Sequence, residues 1–163
     1  MKIGVVSDSH NNLTKLQAAL TIFHQEQVST LIHCGDITTP ETAACLGEFR
    51  VLHTSGNGDY ASGEIRRVLT SLNPLNFSGE VFTGELESVP IAITHGHLPG
   101  MVEELLKSGL YRYIFFGHSH RHQDQQVGNA RLINPGALGG LKVEDHSACI
   151  LTLETGTCVF FTF

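Results

Sequence analysis

Along the first half of the chain, short runs of apolar and β-branched residues alternate with stretches whose apolar positions recur every three or four residues. Lys2–Ser7 is the first such run, and Leu13, Leu16, Leu20 and Phe23 after it share one face of a helix. The alternation returns as a strand over Thr30–His33 with a helix over Pro40–Leu46, then as a strand over Phe49–Thr54 with a helix near Glu64–Leu72. These read as successive βα units. From Phe77 to Val89 the runs are broken by Gly79 and Gly84, which predicts a hairpin. Val89–Thr94 then reads as a buried strand, Met101–Lys107 as a helix and Tyr111–Phe116 as a second buried strand. Turn signals at Gly128-Asn129, Asn134-Pro135-Gly136 and Glu154-Thr155-Gly156 divide the remainder into strands up to Phe163. The change from βα units to a strand-rich second half, without a linker or repeat, predicts a single α/β domain over residues 1–163. Two packed β-sheets fit this order better than one doubly wound sheet.

Composition narrows the function classes. The chain has 163 residues, close to the ~150 typical of one domain. Hydrophobic residues make up 41% and charged residues 16%, which is enough to build a core and excludes a disordered chain. The formal net charge of -6 repels a polyanion, so stable binding of duplex nucleic acid is not expected. No apolar run approaches the ~20 residues of a membrane span, and the first residues leave no room for a signal-peptide core. A cytoplasmic protein without membrane contact is expected. Cys34, Cys45, Cys149 and Cys158 have no close pairing, and we read them as reduced and mostly buried. Histidine is the anomaly: there are 10, and five of them fall between positions 95 and 122.

Those histidines belong to a series of polar loops, each placed where a predicted strand ends. Asp8-Ser9-His10 follows the first strand, Gly35-Asp36 the second, and Gly56-Asn57-Gly58-Asp59 the third. Thr94-His95-Gly96-His97 and Gly117-His118-Ser119-His120 follow the two later buried strands. Carboxyl ends of parallel strands share a rim, so the five loops converge. Carboxylates brought together without partners repel, whereas divalent cations neutralise them and accept imidazole lone pairs. A metal site is the economical reading. Taken singly, Asp8 or Asp36 could cap the turn or helix that follows it, and Asn57 between glycines is an ordinary turn residue.

The order Asp-x-His, Gly-Asp, Gly-Asn-x-Asp, Gly-His, Gly-His-x-His from Asp8 to His120 resembles the calcineurin-like metallophosphoesterases, in particular their small single-domain phosphodiesterase branch. The resemblance implies an αββα sandwich, with two mixed β-sheets flanked by helices. It also implies a first metal held by Asp8, His10, Asp36 and His120, and a second held by Asp36, Asn57, His95 and His118, with Asp36 bridging. The implied function is a metal-dependent phosphodiesterase using a bridging hydroxide held by a binuclear centre. Its substrate would be a small or single-stranded phosphodiester. Two divalent transition-metal ions are expected, manganese first, with Fe, Ni, Co or Zn as alternatives for such a mixed nitrogen and oxygen donor set. Asp36, Asn57 and His97 are the expected catalytic residues, His97 facing substrate or supporting the ligands. The alternative is a metal-binding or catalytically weak protein-interaction scaffold of the same fold; scaffolds of that kind should have lost ligands, whereas all seven positions here are filled.

Several residues stand outside this set. Asp59 reads as a loop-organising carboxylate and His122 as a surface residue, while His24, His33, His53 and His146 have no partner in the pattern. Asn134-Pro135-Gly136 reads as a tight turn that the resemblance places beside the pocket. Arg66, Arg67 and Arg121 could help to hold substrate phosphate but read as solvated, and the apolar run Val159–Phe163 is a candidate contact in a homo-oligomer. Many phosphatases of the family carry His after the Gly-Asn pair, where this chain has Gly58; that removes a candidate proton donor for the leaving group.

Overall fold

The computed structural model describes residues 1–140 and 145–163. In chain order the elements are β1 (Lys2–Val6), α1 (Leu13–Gln25), β2 (Thr30–His33), α2 (Pro40–Ala44), β3 (Arg50–Thr54), α3 (Ser62–Leu72), β4 (Phe77–Gly79), β5 (Val81–Leu86), β6 (Val89–Thr94), α4 (Met101–Ser108), β7 (Tyr113–Phe115), β8 (Gln123–Val127), β9 (Ala130–Asn134), β10 (Ser147–Thr152) and β11 (Thr157–Thr162). One sheet has the order β11-β10-β1-β2-β3-β4, the other β5-β6-β7-β9-β8. In the first, β1 to β4 run parallel and β10 and β11 add antiparallel strands. In the second, β6, β7 and β9 are parallel, with β5 and β8 antiparallel at the edges.

Side chains alternate across a strand, and here both faces of each central strand are covered. Ile3 and Val5 of β1 pack with Ile91, Ile93, Tyr113 and Phe115 of the second sheet, forming the layer between sheets. On the other face, Val6, Leu31 and Val51 meet Leu16, Leu20 and Phe23 of α1 and Ile65 and Leu69 of α3. Gly4 makes this close approach possible, because a Cβ there would lie 2.6 Å from the Phe23 ring. Ala92, Ile114 and Leu132 meet Leu105 of α4 on the outer face of the second sheet. The result is the expected αββα sandwich of two mixed sheets flanked by helices.

Two expectations are corrected. The hairpin expected across Phe77–Val89 begins later. β4 pairs with β3 in the first sheet, and after Glu80 β5 pairs with β6 in the second, turning through Glu87 and Ser88. Both turn residues have positive φ, as a tight hairpin turn requires. A chain that changes sheets has the same local apolar alternation as one that folds back, so the pattern could not separate the two. The cysteines are also less buried than expected. Cys34 and Cys149 lie in the layer between sheets, whereas Cys45 is exposed and Cys158 half-buried. The part of the strand-rich tail at 141–144 lies outside the described residues.

Candidate metal centre

The polar loops follow the carboxyl ends of β1, β2, β3, β6 and β7, so both sheets contribute to one site. Five of its residues, Asp8, His10, Asp36, His118 and His120, have φ between 41° and 64°. Left-handed backbone at non-glycine residues costs free energy, and its concentration here marks loops shaped for side-chain placement. Close packing holds them: Gly56 and Gly117 leave no room for a Cβ, which would strike the Asp36 and Asp8 loops respectively.

Each central carboxylate has one anchored oxygen and one directed inward. Asp8 Oδ2 accepts from Ser7 Oγ at 2.5 Å and from the His118 backbone N–H at 3.1 Å. Asp8 Oδ1 is buried and has no hydrogen-bond partner, although Nε2 of His120, His10 and His95 stand 3.1, 3.9 and 4.0 Å away. Asp36 Oδ1 accepts from the Gly58 backbone N–H at 2.7 Å. Its Oδ2 faces His10 Nε2 at 3.4 Å and His95 Nε2 at 3.6 Å.

The tautomer of His95 is fixed by chemistry. Its Nδ1 lies 2.6 Å from the Cys34 carbonyl, which can only accept, so Nδ1 carries the proton and Nε2 presents a lone pair. Asn57 Oδ1 lies 3.2 Å from that same Nε2. Two acceptors face one another, and His10 Nε2 is also buried without a partner. A cation satisfies such a constellation, since it needs what these atoms have in excess. Two tight sets of donor atoms result, Asp8 with His10 and His120, and Asp8 with Asp36 and His95.

The remaining expected residues lie beside these sets. The His118 ring stands 5.1 Å from His95 between centroids, and the His97 ring 5.3 Å from His95. His118 and Asn57 are exposed. Burial, then the rings of His95 and His118, hold His97 below the ordinary histidine value. Burial pushes the Asp8 carboxyl up, but His120, His95 and Ser7 outweigh it and the group titrates below its usual range. The Asp8 carboxylate in turn raises His120.

Behind the ligand loops lies a buried network. Asp59 Oδ2 accepts from the Asp36 and Gly56 N–H groups at 3.0 and 2.8 Å, and Oδ1 from Thr38 N–H at 2.7 Å. It therefore ties the Asp36 loop to the Asn57 loop. Burial raises its pKa, but His53 and these N–H groups dominate and hold it far below the usual carboxylate range. His53 Nε2 is 3.4 Å from Asp59 Oδ2 and its Nδ1 is 2.9 Å from Ser78 Oγ. His33 Nδ1 accepts from Gly35 N–H at 3.2 Å, so its Nε2–H donates to Ser9 Oγ at 3.1 Å, and Ser9 donates to the Asp36 carbonyl at 3.4 Å. Asn134 Nδ2 donates to the Gly117 carbonyl at 2.9 Å, holding the loop that carries His118 and His120.

His33 and His53 are supporting residues the motif reading left aside, and Asn134, expected only to border the pocket, supports a loop as well. A sequence signal existed: His33 ends β2 and His53 is the penultimate residue of β3, the strands that lead into the Asp36 and Asn57 loops, and parallel pairing places them side by side. His122 is exposed, near the Phe160 ring. His24 is exposed and pairs with Glu48.

Comparison with known proteins identifies the family. Residues 1–156 match the calcineurin-like phosphoesterase superfamily domain. A phosphodiesterase of Methanocaldococcus jannaschii is 34% identical over 145 residues, 86% of each chain. A Bacillus subtilis protein named Probable metallophosphoesterase YsnB is 32% identical over 162 residues, 94% of this chain and 85% of its own. A solved structure described as a novel archaeal phosphodiesterase superposes with a TM-score of 0.95 at 30% identity over 100% of both chains. The loops that end five strands carry carboxylates and imidazoles able to hold a metal ion, and the chain belongs to the calcineurin-like phosphoesterase superfamily.

Proposed function

We propose that the chain is a metal-dependent phosphodiesterase acting on small or single-stranded phosphodiesters, with two divalent ions held by Asp8, His10, Asp36, Asn57, His95, His118 and His120. The observation that carries this reading is the buried, unpartnered Asp8 Oδ1 among three imidazole nitrogens. Bound there, two ions would supply a hydroxide at neutral pH, neutralise the carboxylates and clamp the phosphoryl oxygens. The nitrogen and oxygen donors, without thiolate, suit manganese, with Fe, Ni, Co or Zn as alternatives.

The chain's own residues do the positioning. Asp36 Oδ2 faces a nitrogen from each donor set while Gly58 N–H fixes its other oxygen, the arrangement a bridging ligand needs. Cys34 C=O aims the His95 lone pair inward. Clefts open on both sides, one of about 300 Å³ reaching His97 and one of about 480 Å³ bordered by His10 and His120. Room on two sides favours a phosphate with two substituents over a monoester. With Gly58 where many phosphatases of the family carry His, the leaving group departs largely unassisted unless His97 serves it.

Purified protein loaded with Mn²⁺ is expected to hydrolyse bis(p-nitrophenyl) phosphate faster than p-nitrophenyl phosphate, to lose this activity to chelator and regain it with Mn²⁺. Full metal loading without diester hydrolysis would contradict the reading and favour the scaffold alternative.

A further inference from the structure

The cleft on the His97 side is built unlike a general apolar pocket. Every residue lining it is polar or glycine, among them Ser55, Ser62, Arg66, Glu80 and His97. Ligand pockets are ordinarily walled by hydrophobic and aromatic side chains, so a lining that bears the hydroxyls of Ser55, Ser62 and Ser78, the Arg66 cation and the carboxylates of Asp59 and Glu80 selects a substituent with its own donors and acceptors. Its walls come from the loop after β3, the first turns of α3, the crossover at Glu80 and the loop after β6. Asp59 both lines the cleft and anchors the Asp36 N–H, so the cleft begins where the donor sets end.

Two charged side chains of the lining, Arg66 and Glu80, are uncommitted. Neither Arg66 nor Glu80 makes a side-chain hydrogen bond or ion pair among the described residues, whereas the adjacent Arg67 pairs with Glu64. His97 Nδ1 is closed off from solvent and has no partner. Tyr60, between the lining residues Asp59 and Ser62, is 95% exposed and offers an aromatic face of the kind on which bases stack. A volume of about 300 Å³ is the lower end of ligand sites, enough for one nucleoside-sized group.

We infer that this cleft is a specificity subsite for a nucleoside substituent of the phosphodiester, with Arg66 donating to an acceptor on the nucleoside and Glu80 accepting from a donor on it. The inference rests on the phosphodiesterase reading, and the test separates the two. Metal-loaded protein is assayed with thymidine 5′-(p-nitrophenyl phosphate) and bis(p-nitrophenyl) phosphate, which release the same phenolate. The ratio of their kcat/KM values is compared among wild type, Arg66→Ala and Arg67→Ala. Arg66→Ala is expected to lower the ratio about tenfold, chiefly through KM for the thymidine ester, the size expected for losing a charge-assisted hydrogen bond. Arg67→Ala leaves the ratio unchanged. An unchanged ratio in Arg66→Ala, or an equal fall in Arg67→Ala, overturns the subsite while leaving the phosphodiesterase standing. Hydrolysis of neither ester by the metal-loaded wild type overturns the phosphodiesterase reading and the subsite with it.

Discussion

Asp36 shows how one side chain serves two sets of partners. Its Oδ1 is fixed on the Gly58 N–H, so in Asp36→Asn the amide oxygen keeps that bond and the NH₂ takes the place of Oδ2. A donor would then point at His10 Nε2 and His95 Nε2, and no cation could be shared there. Asp36→Asn is expected to lower kcat/KM on the order of 10²-fold or more, beyond the loss from His10→Ala or His95→Ala alone, with metal content reduced. Equal losses in the three variants would contradict the bridging role. His33 makes a different prediction. Burial, then the neighbouring His53, lowers its pKa to about 3. The unfolded chain binds a proton near pH 6.5 that the folded chain refuses, so the contribution is full above that value. It is lost as pH falls toward 3, by about 1.4 kcal/mol per pH unit. Urea midpoints of the apo protein should fall accordingly between pH 6.5 and 4.5, and ¹⁵N shifts at pH 5 should show a neutral ring protonated on Nε2. A charged His33 at pH 5 would contradict the network.

At the scale of elements, the strand-to-loop transitions carry the function, and they were also what the sequence made most legible. Strand cores of β-branched residues ending in Asp, His or Asn announced five converging loops, because buried parallel strands have few ways to end. The crossover at Glu80 was not legible, since sheet choice depends on which neighbour β4 and β5 find in space. The buttress of His33, His53 and Asn134 was hidden for a related reason: a buried imidazole looks alike in sequence whether it packs or supports a ligand loop. The loop at Gly58 was legible in identity and not in constraint. Its φ is not left-handed, yet a Cβ there would sit 3.0 Å from Asp36 Oδ1 and 3.1 Å from Cγ. Gly58→His is therefore expected to press on the Asp36 carboxylate, the proposed bridge, rather than restore a proton donor. Metal affinity is expected to fall about tenfold, the low end for disturbed ligand supports, and isothermal titration of Mn²⁺ measures it. Unchanged affinity with faster hydrolysis of alkyl diesters would show that the loop tolerates the imidazole.

Across the whole molecule, the apolar layers and the site are separate constructions. Among the described residues, two sheets and four helices bury their own faces, while the candidate donors sit on loops at one end of the strands. The metal-free chain should therefore stay folded, unlike small domains whose metal supplies the folding free energy. With the two proposed divalent ions bound, an acidic protein would still attract a phosphodiester, because their charge would outweigh the two central carboxylates. The most direct measurement strips the protein with chelator, confirms by circular dichroism that it remains folded, and follows bis(p-nitrophenyl) phosphate hydrolysis against equivalents of Mn²⁺ bound. The account predicts no activity without metal and a rise that reaches its plateau at two ions per chain. Full activity in the stripped protein, or a plateau at a single ion, would contradict it.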